Sequence, residues 1–308
     1  MTSLLKDKQT VSGKIEAMNI KAINKLSLAD RLKSYRRHPG SLLLLLFVLV
    51  AAFITVATLL FLVGYVLVTG IPNLKPSLFA WEYNSENVSM VPAIINTIEM
   101  VIMALLVAVP FGVGAAIYLV EYAKKGNKIV GLVRLTAETL TGIPSIVYGL
   151  FGMLFFVTAL GWRNSMLAGA MTLAIMVLPT VMRTTEEALL SVPDSYREGS
   201  FGLGAGKLRT VFKIVLPAAI PGILSGVILA IGRIVGETAA LIYTAGTVAG
   251  LAGVMDSGRT LAIHMYVLSN EGLHKNEANA TAVILLLIVL GINAVSGKLA
   301  KKLEAPEA

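Results

Sequence analysis

The chain has 308 residues, of which 56% are hydrophobic and 14% are charged, whereas an ordinary soluble domain carries about 25% charged residues. This composition indicates a membrane protein. Cysteine is absent, which excludes disulfide frameworks and cysteine-based metal sites, and the three histidines show no metal-ligand spacing. The formal net charge of +8 would suit nucleic-acid binding, but the positions of the basic residues explain that charge differently.

Six apolar segments are long enough to cross a bilayer, since a transmembrane helix needs about 20 apolar residues. The first segment is uncharged, and it is too long and too far from the N-terminus to be a cleaved signal peptide. The sequence therefore predicts an all-α integral membrane protein with six transmembrane helices. The predicted segments are 41–70, 100–120, 140–161, 165–182, 214–242 and 278–297.

The basic residues fall mostly in alternate segments between these helices. The tail 1–40, the loops after the second and fourth helices, and the C-terminal tail hold 21 of the 26 Lys and Arg residues. The other loops hold Lys75, Arg163, Arg259 and Lys275. Because Lys and Arg concentrate on the cytoplasmic side, the sequence predicts that both termini are cytoplasmic. The positive charge is then a topology signal, and we expect no nucleic-acid partner.

The loop 183–213 is the only large loop predicted on the cytoplasmic side. We expect a short helix there from Pro193 to Leu203. The run from Ser191 to Asp194 has the pattern of a capping box with proline in the first turn. Gly204 stands where a helix commonly ends on a left-handed residue.

The glycines of this loop do not form a nucleotide-binding motif. A Walker A loop needs a glycine five residues before its Gly-Lys pair and a hydroxyl residue after it, but Phe201 and Leu208 occupy those positions. Gly202, Gly204 and Gly206 alternate, so the dinucleotide spacing G-x-G-x-x-G also fails.

The predicted fifth transmembrane helix contains Arg233 and Glu237, which are one helical turn apart and able to interact. A charge at mid-bilayer costs about 2.5–3.5 kcal/mol on insertion scales, so it usually faces a partner or a wet cavity. The two residues therefore form either a neutralised structural pair or part of a substrate path, together with Thr238. Arginine donates paired hydrogen bonds that suit an oxyanion. Ser145 and Tyr148 offer hydroxyl groups to such a path, although a tyrosine at the lipid interface fits equally well.

Residues 198–217 resemble the cytoplasmic signature of ATP-binding-cassette (ABC) importer permeases, E-A-A, three residues, G, nine residues, I-x-L-P. The matching residues are Glu198, Gly199, Ser200, Gly204, Ile214, Leu216 and Pro217. Gly199 and Ser200 replace the two alanines with residues that are also small. The resemblance implies a type I, MetI-like permease whose coupling helix docks on a separate ATPase. The coupling residues that it implies are Arg197, Glu198, Gly199, Ser200, Leu203, Gly204 and Ala205.

Further stretches are similar to the permeases of phosphate importers. They are "AAIYLVEY", "TGIPSIVYGLFG", "LPTVMRTTEEALLSVP", "GRIVGETAAL" and "TLAIHMYVLSNEG". The similarity covers about residues 92–302, the predicted permease core, and is weaker over the tail 1–40 and the first helix 41–70. The two sister permeases of a phosphate importer share several of these motifs, so the choice between them stays open.

This resemblance implies a plasma-membrane, multi-pass transport subunit that imports inorganic phosphate and is not an enzyme. The expected partners are a second permease subunit, an ATPase dimer, an extracytoplasmic phosphate-binding protein and the lipid bilayer. No cofactor is expected in this chain, because the ATPase would bind ATP and Mg. The alternatives are a permease for molybdate or sulfate, a channel, and an ion-coupled secondary transporter, for which the internal repeat that is often seen is not evident.

Overall fold

The computed structural model describes residues 39–124 and 126–303, with side chains for 40–124 and 126–298. Nearly all of the predicted tail 1–40 lies outside this range. The described residues contain helices and no β-strand, which confirms the all-α fold class. The described residues divide into two compact units at the boundary between Gly64 and Tyr65, and the helices of the second unit carry the candidate sites.

Helix α1 (Pro39–Gly70) is the first predicted transmembrane helix. It has 32 residues and begins two residues before the predicted start. Most of its large apolar side chains are exposed, including Phe53 and Phe61, as expected of a segment that faces lipid.

Helix α2 (Val91–Ile117) continues into a π-helical turn (Tyr118–Tyr122). It begins nine residues before the predicted start, because its first turns carry polar side chains that interrupt the apolar run. These side chains have partners within the protein. Asn96 Nδ2 donates to the carbonyls of Gly250 and Arg259, and Thr97 Oγ1 accepts from the Leu261 backbone.

The third predicted transmembrane segment is broken. Helix α3 (Lys128–Thr141) meets helix α4 (Ser145–Gly152), which continues as a π-helix (Met153–Ala159), at a bend of 103°. Pro144 explains the break, because proline disfavours helical backbone in the preceding residue and lacks an N–H. The predicted segment 140–161 is therefore interrupted near its start, and its main helical part begins at Ser145. With this bent pair taken as one span, the described residues hold up to six candidate spans.

Helix α5 (Met166–Ser191) is the most buried of the five continuous candidate spans among the described residues. Of its most apolar stretch of 18 residues, 67% are buried. Glycines allow its neighbours to approach closely. A β-carbon on Gly112 of α2 would clash with Val181, and one on Gly226 in the following span would clash with Thr184. The helix ends nine residues beyond the predicted end at Met182, so the first part of the predicted loop 183–213 is helical.

Helix α6 (Asp194–Gly202) corresponds to the predicted helix Pro193–Leu203. Gly204 has φ +79°, which confirms the left-handed residue after the helix. The predicted capping box is wrong. Pro193 is the N-cap residue and makes no side-chain cap, while Ser191 Oγ donates to the Ala188 carbonyl at the end of its own helix, α5.

The fifth candidate span runs from Lys207 to Val235. It comprises α7 (Lys207–Thr210), a π-helical turn (Val211–Val215) and α8 (Leu216–Val235). It therefore ends seven residues before the predicted end at Ile242. Helices α9 (Ala239–Thr244), α10 (Leu261–Glu271) and α11 (Lys275–Leu303) complete the chain as described.

Candidate transport and coupling sites

The sequence predicts one helix through Arg233 and Glu237, but the helix is interrupted between these two residues. Helix α8 ends at Val235, and Gly236 is its C-cap. Glu237 is 9% exposed, and its Oε1 accepts a 3.0 Å hydrogen bond from the backbone of Ala240 in α9. The prediction of one continuous helix through Arg233 and Glu237 is therefore wrong. Glu237 satisfies a free N–H at the start of the next helix, as N-terminal caps do.

Arg233 lies in the last turn of α8 and is partly exposed. Among the described residues it has neither a salt bridge nor a side-chain hydrogen bond. Its charge lies within electrostatic range of Tyr148. An unpaired guanidinium in an apolar span is costly, so this position suits a group that meets a charged ligand.

Tyr148 is 5% exposed, and its hydroxyl donates a 2.8 Å hydrogen bond to the Leu140 carbonyl across the α3–α4 break. This position excludes the lipid-interface alternative for Tyr148. Helix α4 also packs closely on α9, because a β-carbon on Gly149 would clash with Ala240. Ser145 begins α4 and Thr238 is the N-cap residue of α9, and both are partly exposed.

Two helix interruptions therefore lie on neighbouring elements, one before α4 and one before α9. Irregular backbone within a membrane is tolerated where protein packs it or where it lines a cavity. The structure brings Arg233 near Tyr148, and it brings the elements that carry Ser145, Glu237 and Thr238 together. It shows no direct contact of Arg233 with Glu237.

Some of the predicted coupling residues face solvent, and others face the rest of the chain. Glu198, Gly199, Leu203 and Gly204 are exposed, and Leu203 is 91% exposed. A β-carbon on Gly199 would touch nothing within 4 Å. Tyr196 and Phe201 in α6, and Leu203 just after it, have exposed apolar side chains. This surface is therefore accessible to a partner.

Two other predicted coupling residues, Arg197 and Ser200, face the chain itself. The Arg197 guanidinium bonds to Glu121, and Ser200 Oγ lies 2.8 Å from Thr210 Oγ1. Ala205 is partly exposed, and its backbone N–H donates to the Ser200 carbonyl. The sequence alone did not separate these inward residues from the outward ones.

An ion-pair cluster that the sequence did not predict lies between α3 and α5. Arg134 pairs with Glu186 at 2.6 Å, and Arg183 pairs with Glu138 at 3.7 Å. These side chains line a cleft of about 280 Å³. Their spacing across two helices gave no local signal, because the pairs form only once α3 packs on α5.

A second missed cluster surrounds His264, which is fully buried in α10. The Tyr83 ring lies edge-on to His264 and 4.5 Å from the guanidinium carbon of Arg259. Burial, and secondly the Arg259 charge, lower the pKa of His264 to about 3, against a small opposing effect of the Val88 backbone. Neither ring nitrogen has a partner that meets hydrogen-bond geometry within the described part of the chain. His264 therefore stays neutral at physiological pH.

A comparison with known protein families identifies the chain. Residues 108–305 match the family described as "Binding-protein-dependent transport system inner membrane component". The chain belongs to this family. It is thus a multi-pass subunit of the inner membrane and is not an enzyme. Permeases of ABC importers work with an ATPase and a binding protein, and the permease chain carries no cofactor. Among the described residues, no group of three His, Asp or Glu could hold a metal ion.

Curated relatives of this permease include the probable ABC transporter permease protein YqgI of Bacillus subtilis, 32% identical over 79% of this chain and 88% of that protein. The phosphate transport system permease protein PstA of Yersinia pestis is 35% identical over 68% of this chain and 72% of that protein. PstA 1 of Mycobacterium tuberculosis (strain CDC 1551 / Oshkosh) is 41% identical, but over only half of each chain.

Solved structures share the fold of this permease. A chain of a bacterial alginate ABC transporter has a TM-score of 0.63, 14% identity, and coverage of 89% of this chain and 99% of that chain. A chain of the MetNI methionine ABC transporter in an inward-facing conformation has a TM-score of 0.54, 20% identity, and coverage of 70% and 94%. The type I importer permease architecture is therefore confirmed.

Proposed function

We propose that this permease is a PstA-like subunit that moves inorganic phosphate into the cell. The observation that carries the proposal is Arg233, a cation without an acidic partner in the described chain, at the end of helix α8 and within electrostatic range of Tyr148. The PstA relatives support phosphate as the substrate. The sister role in the same importer and the transport of molybdate or sulfate are the alternatives.

The chemistry of Arg233 fits phosphate. A guanidinium stays charged at all physiological pH values and presents paired N–H donors that match two oxygens of an oxyanion. Because Glu237 is engaged with the start of α9, it does not neutralise this charge by direct contact. Ser145 and Thr238, which are partly exposed, supply hydroxyl groups on the neighbouring elements, whereas the Tyr148 hydroxyl is engaged with the Leu140 carbonyl.

The proposed assembly contains a PstC-like second permease, two copies of a PstB-like ATPase and a PstS-like phosphate-binding protein. Its energy comes from the ATPase, which binds ATP and Mg. The exposed face of α6 and the left-handed turn at Gly204 form the docking surface in this proposal. The signature spacing from Glu198 to Pro217 supports that assignment, as does the exposure of Leu203.

The test is transport by the purified complex in proteoliposomes. We expect uptake of labelled phosphate that requires ATP, the binding protein and the ATPase, and that vanadate blocks. Excess sulfate or molybdate should not compete. Competition by either anion at equal concentration would assign the complex to another oxyanion. Uptake that an ion gradient drives without ATP would refute the importer mechanism.

A further inference from the structure

Arg197 is partly buried, as is Ser200, whereas the other residues of helix α6 are exposed. Its side chain is 15% exposed, and that of Glu121, in the π-helical turn that ends α2, is 9% exposed. Arg197 Nε and Nη2 both donate to Glu121 Oε1, at 3.0 and 2.8 Å. Hydrogen bonds between two ionised groups are among the strongest in proteins.

The same guanidinium also holds the end of α5. Arg197 Nη2 donates to the Leu189 carbonyl at 2.9 Å, and Nη1 donates to the Val192 carbonyl at 2.8 Å. The last carbonyls of a helix have no partner within that helix, so Arg197 satisfies groups that would otherwise need water. One side chain thus joins α6 to both α2 and α5.

A second contact joins the start of α7, which follows α6, to the π-helical turn that contains Glu121. Lys207, the first residue of α7, places its ammonium 5.1 Å from the ring centroid of Tyr122, within range of a cation–π interaction. Glu121 and Tyr122 are neighbours in the π-helical turn, which the bond from the Ala123 N–H to the Tyr118 carbonyl closes. Such turns are frequent at functional sites.

Apolar packing does not hold α6 in place, because none of residues 194–202 is buried. Its side-chain links to the rest of the chain are polar, from Arg197 and from Ser200 to Thr210. Helices α2 and α5, in contrast, pack against each other in the core that also contains Ile234, the neighbour of Arg233. Apart from the backbone on either side of it, α6 is therefore joined to α2 and α5 by the side chain of Arg197.

We propose that Arg197 and Glu121 form a positioning pair that transmits movement of the coupling helix to α2 and α5. This inference rests on the proposed docking of α6 on the ATPase. Arg197 then has a different task from the exposed residues beside it. It connects the docked helix to the transmembrane core and does not itself contact the ATPase.

The test uses the complete complex with three variants of the pair, Arg197→Gln, Arg197→Lys and Glu121→Gln. The matched control is Arg209→Gln, which removes an exposed arginine from α7. Since the chain has no cysteine, thiol spin labels can be attached at Ile98→Cys on α2 and Leu273→Cys before α11, both of which are exposed positions. The distance between the labels is measured with and without ATP and vanadate.

The proposal predicts that the ATP–vanadate change in label distance is lost in Arg197→Gln and Glu121→Gln, reduced in Arg197→Lys, and kept in Arg209→Gln. Phosphate transported per ATP hydrolysed should fall at least about tenfold in the first two variants, the lower end of the range for loss of a charge-assisted hydrogen bond. The ATPase should still copurify. An unchanged label response, or normal coupling in a complex that merely assembles poorly, overturns the proposal.

These readouts separate the pair from the proposed function. If the wild-type complex transports another anion, the assigned substrate is wrong, while the label distances still report on the pair. If the ATPase fails to copurify with all three pair variants, Arg197 is a structural residue and the proposal is wrong.

Discussion

Glu237 bonds to the backbone of Ala240 and not to Arg233, and this single contact changes how the intramembrane charges are understood. We predict that Glu237→Gln keeps the cap, because its amide oxygen still accepts a hydrogen bond. Glu237→Ala should lose about 1 kcal/mol, the usual cost of removing a cap. The thermal midpoint of the detergent-solubilised protein should then fall by about 2–4 °C.

Glu271→Ala is the matched control for this prediction, since Glu271 is exposed at the end of α10. Its midpoint should stay at the wild-type value. Equal loss of stability in Glu237→Gln and Glu237→Ala would show that the charge, and not the hydrogen bond to Ala240, stabilises the protein.

His264 makes the stability of the protein depend on pH. Its pKa is about 3 in the folded state and about 6.5 in an unfolded chain. Below pH 6.5 the unfolded state therefore binds more protons, and the free energy of unfolding decreases as the pH falls toward 3. Between pH 7.5 and pH 5 the wild type should lose about 2 kcal/mol that His264→Gln does not lose.

Unfolding of both proteins in detergent at the two pH values tests this effect. His274→Gln is the control, because His274 is partly exposed and lies 3.8 Å from Glu277. A wild-type and a His264→Gln protein with the same pH dependence would contradict the buried, neutral histidine.

The elements show which features local sequence determines. Gly204 was predicted to be left-handed because the helix signals of α6 end there, and the helix was predicted to within a residue at each end. The break at Gly236 was missed, since the predicted fifth segment continues through it to Ile242. The end of α5 was also missed, because Arg183 and Glu186 leave the apolar pattern although the helix continues into an ion-pair cluster with α3.

Gly204→Val tests the role of α6 as a coupling helix. Gly204 has φ +79°, a region that a β-branched residue rarely adopts. We expect a stably inserted protein that has lost transport and copurifies poorly with its ATPase. Gly131→Val, in the first turn of α3 with nothing within 4 Å of an added β-carbon, is the control and should keep the ATPase. Normal transport by Gly204→Val would contradict the coupling assignment.

At the scale of the whole molecule, composition was sufficient to predict an all-α membrane protein. Which side chains meet was not predictable in the same way. The Arg197–Glu121 bond joins residues 76 positions apart in sequence, and the cluster of Tyr83, Arg259 and His264 likewise depends on packing of distant segments. The candidate residues Arg233 and Tyr148 were recognised from local motifs, but their proximity depends on two broken helices.

The predicted topology places Lys75 outside the cell and Lys207 inside it. Because the chain lacks cysteine, Lys75→Cys and Lys207→Cys each create a single thiol. An impermeant thiol reagent added to intact cells should label position 75 and leave position 207 unlabelled until the cells are permeabilised. Equal labelling of the two positions, or the reverse pattern, would refute the topology.

The central claim is that Arg233 governs the passage of phosphate and is not needed for assembly. Labelled phosphate uptake and ATPase copurification are therefore measured together for Arg233→Gln, Arg233→Lys and the control Arg163→Gln. We predict that Arg233→Gln assembles normally and loses uptake, that Arg233→Lys recovers part of it because lysine keeps the charge but not the paired donors, and that Arg163→Gln transports normally. Full phosphate uptake by Arg233→Gln would contradict the account.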